Sequence, residues 1–146
     1  MAYLFFFGTL AHEHDAPLSR LVMRLLGPGR RARTRGRLLA VHTRHGCYPA
    51  LIRGRGWVEG WVYKCGPHFG RAALRTIDRY EEFDSARPRR SEYVRRACAV
   101  RLTRGPSLVA QVYCWNKPTH AGMSPVPGGN FARFLARTRR QAYGLQ

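Results

Sequence analysis

Glu81 is the residue whose position most clearly predicts chemistry. It ends a segment, opened by Pro67, in which apolar residues recur at helical spacing, and Pro suits the first turn of a helix. At about 100° per residue, Glu81 falls on the apolar side of this helix, between Ile77 and Leu74. The next residue, Glu82, falls on the side that faces water. We therefore expect the Glu81 side chain to face the core or a cavity beside it.

A carboxylate on an apolar face is costly unless it is paired or protonated, which leaves two interpretations of Glu81. In the first, Glu81 forms a structural ion pair with one of the many arginines of the chain. In the second, desolvation raises the pKa of its carboxyl group toward neutrality, and the group serves as a general base and acid. The helical periodicity alone does not choose between them.

Other residue patterns give weaker indications of chemistry. His12, His14 and Asp15 are close enough to suggest a metal site, but this spacing is more typical of a solvated loop, and the same holds for His42 and His45. The four cysteines contain no C-x-x-C pair. No Gly-rich phosphate loop and no nucleophile-elbow serine is present. The sequence therefore predicts neither a metal site nor a cofactor.

The elements that must position Glu81 are short strands and a few helices. The apolar run 3–7, stopped by Gly8, predicts a buried strand. Further strands are expected at 33–41, 50–52, 57–65, 91–103 and 108–116, with a turn at 53–56. One helix is expected from Asp15 to about residue 26, the second begins at Pro67, and the last begins near Asn130. Strands that follow one another without βαβ alternation favour an α+β domain with a mainly antiparallel, twisted sheet or small barrel.

Size and composition fit one folded domain. The chain has 146 residues and 45% of them are hydrophobic, so we expect a single domain over residues 1–146 with a real core. No apolar run approaches the roughly 20 residues that span a bilayer, and the run 3–7 is too short for a signal-peptide core. We therefore expect a cytoplasmic protein that does not enter the membrane.

The charge is strongly one-sided, with 26 basic and 8 acidic residues and a net charge of +18. One interpretation is a surface that neutralises phosphates. The other is a genome that favours Arg codons. The near-absence of lysine (only Lys64 and Lys117) and the spread of arginine along the chain favour the second. We expect weak, nonspecific binding of polyanions at low salt in either case.

Six short segments keep a fixed order between residue 3 and about residue 137. They are Phe6-Phe7-Gly8-Thr9-Leu10, Tyr48-Pro49-Ala50-Leu51, Val58-Glu59-Gly60-Trp61-Val62-Tyr63, Ile77-Asp78-Arg79-Tyr80-Glu81, Tyr93-Val94-Arg95 and Gly129-Asn130-Phe131. In this order they resemble the Y-G-T-L, y-P-a-l, v-x-G-x-v-y, L-D-x-y-E, Y-x-R and G-d-w/f motifs of the gamma-glutamylcyclotransferase-like family. The chain departs from the family pattern at Phe7, where the family has tyrosine, and at Asn130, where the family has an acidic residue.

The resemblance implies a fold, a reaction and a set of site residues. The implied fold is a small, mainly antiparallel β-barrel flanked by helices. The implied reaction is cleavage of a gamma-glutamyl amide by the substrate's own α-amine, which releases 5-oxoproline and a free amine without a cofactor. The family's catalytic acid falls on Glu81, and the implied substrate-binding residues are Phe7, Gly8, Thr9, Leu10, Tyr48 and Tyr93.

A second hypothesis belongs to a different functional class. A fold does not guarantee an activity, so the chain could be a non-catalytic basic module that binds nucleic acid or another polyanion on the same fold. The enzymatic hypothesis requires a small gamma-glutamyl substrate as the partner. The identity of the leaving amine stays open.

Overall fold

The computed structural model describes residues 3–7, 24–44, 46–67, 69–80 and 86–138. The strands in this part of the chain are β1 Tyr3–Phe6, β2 Arg30–Thr43, β3 Gly46–Lys64, β4 Tyr93–Leu102, β5 Ser107–Trp115 and β6 Met123–Pro125. The α-helices are α1 Arg71–Tyr80 and α2 Phe131–Thr138. Short 3-10 turns lie at Pro88–Arg90 and Pro127–Gly129.

Strands β1 to β5 close into a barrel. They follow the order β3-β1-β5-β4-β2, and β2 pairs with β3 to complete the ring. Every pairing is antiparallel except that of β1 with β5, where Leu4 lies opposite Gln111. Strand β6 adds to the part of β2 that extends beyond the ring. The expected α+β fold, a small and mainly antiparallel barrel flanked by helices, is confirmed.

The predicted turn at 53–56 is wrong, because β3 runs without reversal from Gly46 to Lys64. Arg35 lies opposite Trp57 and Arg37 lies opposite Ile52, so residues 53–56 form a wide bulge against a single residue of β2. The glycines that suggested a turn instead permit close approach, since a Cβ on Gly54 would lie 2.8 Å from the Arg37 Cβ. The two expected strands 50–52 and 57–65 are therefore one long strand.

Strand side chains alternate between the two faces of the barrel wall, and the buried hydrophobic residues of the described chain form three clusters, the smallest of which joins Leu39, Val41 and Ala50. The interior is filled by residues such as Phe5, Val58 and Val112, and α2 packs against it with Phe131 and Phe134. A second cluster lies on the outside of the wall. Its buried members are Leu4, Phe6, Leu26, Tyr63, Ile77, Tyr93 and Tyr113.

Helix α1 differs from the prediction at its beginning. It begins at Arg71 rather than at Pro67, which lies in a turn. It is described to Tyr80, and Glu81, the next residue in the sequence, lies outside the described residues. Most of the helix expected at 15–26 also lies outside them. Within them, Leu26 forms a β-bridge with Cys65.

The last helix begins as expected. The Asn130 side-chain oxygen accepts a hydrogen bond from the Arg133 backbone N–H at 2.9 Å and caps the first turn of α2. Neither helix of the described ranges is long and apolar enough to cross a membrane.

Candidate active site

Helix α1 is fixed to the barrel by two neighbouring residues of its last turns. Ile77 is 1% exposed and packs into the outer cluster beside Leu4 and Phe6. Asp78 is 9% exposed, although it is charged. A buried carboxylate requires partners that replace its water, and the barrel wall supplies them.

Two residues opposite each other on β4 and β5 bind the Asp78 carboxylate. Arg95 Nη1 donates to both carboxylate oxygens, at 2.9 and 3.0 Å, and the Tyr113 hydroxyl donates to Oδ1. Arg95 and Tyr113 form a cross-strand pair, so their side chains leave the sheet side by side on the same face. This ion pair joins the last turn of α1 to the wall, three residues before Glu81.

The end of β1 approaches the same place. Strands β1 and β5 run in the same direction from the pair Leu4–Gln111, so Phe6 and Tyr113 both lie beyond that pair in the strand direction. Phe6 and Tyr113 also belong to the same outer cluster. The end of β1 and the end of the described part of α1 therefore lie near the same region of the barrel wall. Gly8 follows β1 after one residue, and Glu81 directly follows α1.

An aromatic wall continues from this region along β4 and β5. The Tyr93 and Trp115 rings pack edge to face with centroids 5.4 Å apart, and the Tyr48 ring lies 6.4 Å from Tyr93 and 6.3 Å from Trp115. The Tyr93 hydroxyl donates to the Pro49 carbonyl at 2.6 Å, which ties β4 to β3. Three large rings thus form one rigid surface beside the Asp78 anchor.

Trp115 carries a buried N–H group with no hydrogen-bond partner among the described residues. Buried donors are nearly always paired, so such a group often marks a place where a water or a ligand oxygen binds. Its neighbours Tyr48 and Tyr93 are two of the residues that the family resemblance implied for substrate binding.

The predicted site residues divide into two groups. Glu81 and the loop residues Gly8, Thr9 and Leu10 lie outside the described residues, so their roles stay predictions. Tyr48 and Tyr93 lie within them and contact one wall. The Phe7 side chain is 7% exposed and packs in the barrel interior with Phe5.

Sequence reasoning overlooked Asp78, Arg95, Tyr113 and Trp115. The signal for the first two was present, because Asp78 is the acid of the L-D-x-y-E segment and Arg95 is the last residue of the Y-x-R segment. Their ion pair connects the two motifs physically. One interpretation of Glu81 was a structural ion pair on the side of this helix that faces the barrel. The structure shows such an ion pair at Asp78.

The histidine pair at 42 and 45 was expected in a solvated loop, and this is wrong for His42. It lies in β2 and is half-buried, with Nδ1 3.1 Å from Cys47 Sγ and Nε2 2.5 Å from Ser124 Oγ. It therefore links β6 to the β2–β3 hairpin. His45 lies outside the described residues.

The cysteines and the acidic residues offer no metal site within the described ranges. No group of three His, Cys, Asp or Glu side chains is close enough to hold an ion there. All four cysteines are free thiols. Burial raises the pKa of the Cys65 thiol, which packs against the outer cluster.

Comparison with known proteins places this geometry in a family. Residues 4–133 match the family described as gamma-glutamyl cyclotransferase, AIG2-like. Comparison with curated protein sequences found no match.

Several solved structures share the fold at low sequence identity. YkqA from Bacillus subtilis has a TM-score of 0.66 and 17% identity, over 95% of this chain and 43% of YkqA. The chain therefore spans less than half the length of YkqA. An AIG2-like protein from Mus musculus has a TM-score of 0.56 and 24% identity, over 83% and 80% of the two chains. A yeast gamma-glutamyl cyclotransferase specific to glutathione has a TM-score of 0.55 and 13% identity, over 94% and 84%.

The family match covers most of the chain, and the six sequence motifs, the closed barrel and the solved structures agree with it. The chain belongs to the gamma-glutamyl cyclotransferase, AIG2-like family.

Proposed function

We propose that this chain is a cyclotransferase that cleaves a gamma-glutamyl amide and releases 5-oxoproline and a free amine. The observation that carries the proposal is the approach of two chain segments to one region of the wall. The Asp78 ion pair holds the end of α1 close to Tyr113, and β1 leaves the barrel on the same side. The residues that follow these two elements are those to which the family resemblance assigns the chemistry.

The reaction needs little from the protein beyond orientation and proton transfer. A gamma-glutamyl compound carries its own nucleophile, because its α-amine can attack the side-chain δ-carbonyl and close a five-membered ring. Holding both groups of one molecule in the reactive conformation removes much of the entropic barrier. The bond from the δ-carbon to the leaving nitrogen then breaks, and the amine departs.

Glu81 is proposed as the group that moves the proton. Its carboxylate takes a proton from the substrate ammonium, and the carboxylic acid gives that proton to the leaving nitrogen as the bond to the δ-carbon breaks. The ring nitrogen then loses its second proton to the departing amine, which leaves as an ammonium ion. A carboxyl group serves both steps best when its surroundings raise its pKa toward the working pH. Backbone N–H groups of residues 8–10 are proposed to stabilise the oxyanion that forms at the δ-carbonyl.

The described wall is proposed to bind the rest of the substrate. Tyr48, Tyr93 and Trp115 form a rigid surface of rings. Trp115 contributes its ring to this surface, and its N–H group is buried. Asp78, Arg95 and Tyr113 are positioning residues in this scheme, because they satisfy one another and fix the helix that precedes Glu81.

Release of 5-oxoproline from a panel of gamma-glutamyl amides tests the proposal. The panel contains gamma-glutamyl amino acids, gamma-glutamyl-lysine isopeptides and gamma-glutamyl derivatives of simple amines. A matched control for each is the same compound acetylated on the α-amine, which keeps the amide and lacks the nucleophile. We expect 5-oxoproline from at least one free compound and no cleavage of its acetylated form. Release of free glutamate instead of 5-oxoproline, or cleavage of the acetylated form, would contradict ring closure.

A further inference from the structure

A strip of alternating cations and indole rings covers the outside of the barrel along β2 and β3. We name Arg31, Arg33, Arg35, Trp57 and Trp61 the Arg–Trp strip. We propose that this strip binds single-stranded nucleic acid, with arginine N–H groups on the phosphates. Trp57 holds Arg33 and Arg35 flat against its two faces, and the outer guanidinium faces are platforms for bases. This site is separate from the proposed cyclotransferase chemistry and does not depend on it.

Strand pairing places the members of the strip next to one another. Arg35 lies opposite Trp57 and Arg31 lies opposite Trp61 in the β2–β3 ladder. Positions separated by two residues on one strand point to the same face, so the arginines of β2 and the tryptophans of β3 share the outer face. The two indoles are four residues apart on an extended strand, which corresponds to about 13 Å.

The side chains within the strip are already stacked. The guanidinium carbons of Arg33 and Arg35 lie 4.2 and 3.9 Å from the centre of the Trp57 ring, and that of Arg31 lies 5.0 Å from the Trp61 ring. Cation–π contacts hold these arginines flat against the wall. Arg35 Nη1 donates to the Arg55 carbonyl at 2.8 Å, and the other guanidinium N–H groups are the proposed donors to phosphate oxygens. A guanidinium plane is also a surface on which a base can stack. Lysine could not supply this arrangement.

The positive charge of the strip is only partly offset within the described residues. Arg31, Arg33 and Arg35 are exposed, and the ion pair found in the described ranges is the distant one between Arg95 and Asp78. The ladder places a single acid, Glu59, in the strip, opposite Arg33. Arg101 of β4 lies opposite Arg33 on its other side and adds a further cation.

The same face continues into a small apolar area. Ala99 and Val109 form a cross-strand pair on β4 and β5 beside the strip, and the Thr34 hydroxyl donates to the Ala99 carbonyl at 2.9 Å. Val109 is 62% exposed, the largest exposure of a large hydrophobic side chain in the described ranges. Proteins that bind single-stranded nucleic acid combine basic side chains, which contact the phosphates, with aromatic side chains on which the unpaired bases stack. A double helix offers phosphates but no free base faces.

Fluorescence anisotropy with labelled 15-nucleotide oligo(dT) and oligo(rU), from 50 to 300 mM NaCl, tests the proposal on the full chain. The two oligonucleotides distinguish DNA from RNA, while a DNA duplex and heparin compete as polyanions without free bases. We expect either or both single strands to bind more tightly than the duplex or heparin. Equal binding of all four would overturn the proposal.

Two pairs of variants separate the strip from bulk charge. The double variant Arg33→Gln/Arg35→Gln removes two charges from the strip. Arg89→Gln/Arg90→Gln removes two from exposed positions before the beginning of β4. We expect the first pair to reduce the slope of log affinity against log salt by about 1.4, and the second to leave it nearly unchanged. Equal effects of the two pairs would show that only net charge matters.

The contribution of stacking is tested at constant charge. Trp57→Ala is expected to weaken binding by about 5- to 100-fold without a change in salt slope, and Trp57→Phe by less than about threefold. Quenching of tryptophan fluorescence on binding to the wild type, reduced in Trp57→Phe, tests the same contact where the alanine variant does not fold. Binding without quenching, or undiminished binding by a folded Trp57→Ala variant, would contradict the proposal.

Discussion

Arg95 donates to both oxygens of the Asp78 carboxylate, at 2.9 and 3.0 Å, and so attaches helix α1 to the barrel wall. The two residues come from two separate sequence motifs, one at the end of a helix and one at the beginning of a strand. Their side chains are only 13% and 19% exposed, for Asp78 and Arg95 respectively. In the proposed enzyme this pair sets the position of the chain segment that begins at Glu81.

Asp78→Asn is expected to lower the free energy of unfolding by about 2–4 kcal/mol. The substitution leaves the Arg95 charge largely buried without a counter-charge, which costs more than the pair itself contributes. Urea unfolding measures the effect. The double variant Asp78→Leu/Arg95→Leu removes both charges and is expected to recover part of the loss. A loss below about 0.5 kcal/mol in Asp78→Asn would show that the ion pair does not hold α1.

Tyr113→Phe and Tyr93→Phe form a matched pair of hydroxyl deletions on the same wall. Tyr113 donates to a carboxylate, whereas Tyr93 donates to the neutral Pro49 carbonyl. Hydrogen bonds to charged groups contribute more, so we expect losses of about 1.5–3 kcal/mol for Tyr113→Phe and about 1 kcal/mol for Tyr93→Phe. Thermal and urea unfolding of the two variants give the comparison. The reverse order would contradict the description of Asp78 as the anchor.

Gly60→Ala is expected to destabilise the barrel by more than about 2 kcal/mol. A Cβ at this position would lie 2.3 Å from the Phe6 carbonyl oxygen and 2.9 Å from the Phe5 ring, so β1 could not pair with β3 as it does. Gly70→Ala is the control, because no atom lies within 4 Å of its added Cβ. Denaturant midpoints should shift strongly for the first variant and by little for the second. Similar midpoints would contradict the close approach of β1.

Asn130 should be replaceable by aspartate but not by alanine. Its side-chain oxygen caps α2 through the Arg133 N–H, so Asn130→Ala is expected to cost about 1 kcal/mol. Asn130→Asp keeps the acceptor and places a negative charge at the helix N-terminus, so it should be neutral or slightly stabilising. Unfolding curves of the two variants test the cap.

The sequence predicted most strands because their alternation and their motifs agree. The motif at 58–63 carries Gly60, where only glycine allows β1 to approach. The motif at 48–51 carries Pro49, whose carbonyl accepts the Tyr93 hydroxyl. Residues of these motifs make close contacts that the fold requires. Short sequence segments therefore sufficed to identify the family and its fold.

The failures have a common physical cause, since each depended on a distant partner. Glycines at 54 and 56 indicated a turn, but pairing with β2 keeps β3 extended through a bulge. No strand was predicted at Met123–Pro125, and this segment becomes a strand because β2 extends far enough to pair with it. The sequence did not predict the role of Asp78, because its partners Arg95 and Tyr113 are distant from it in the sequence.

The most direct measurement compares 5-oxoproline release by Glu81→Gln and Glu82→Gln, with a substrate that the wild type cleaves. The two variants make the same chemical change at adjacent positions, so folding and net charge are matched. If Glu81 transfers the proton, Glu81→Gln should lower kcat by at least about 100-fold, while Glu82→Gln should stay within about threefold of the wild type. Full turnover by a folded Glu81→Gln variant would contradict the proposed role of this residue.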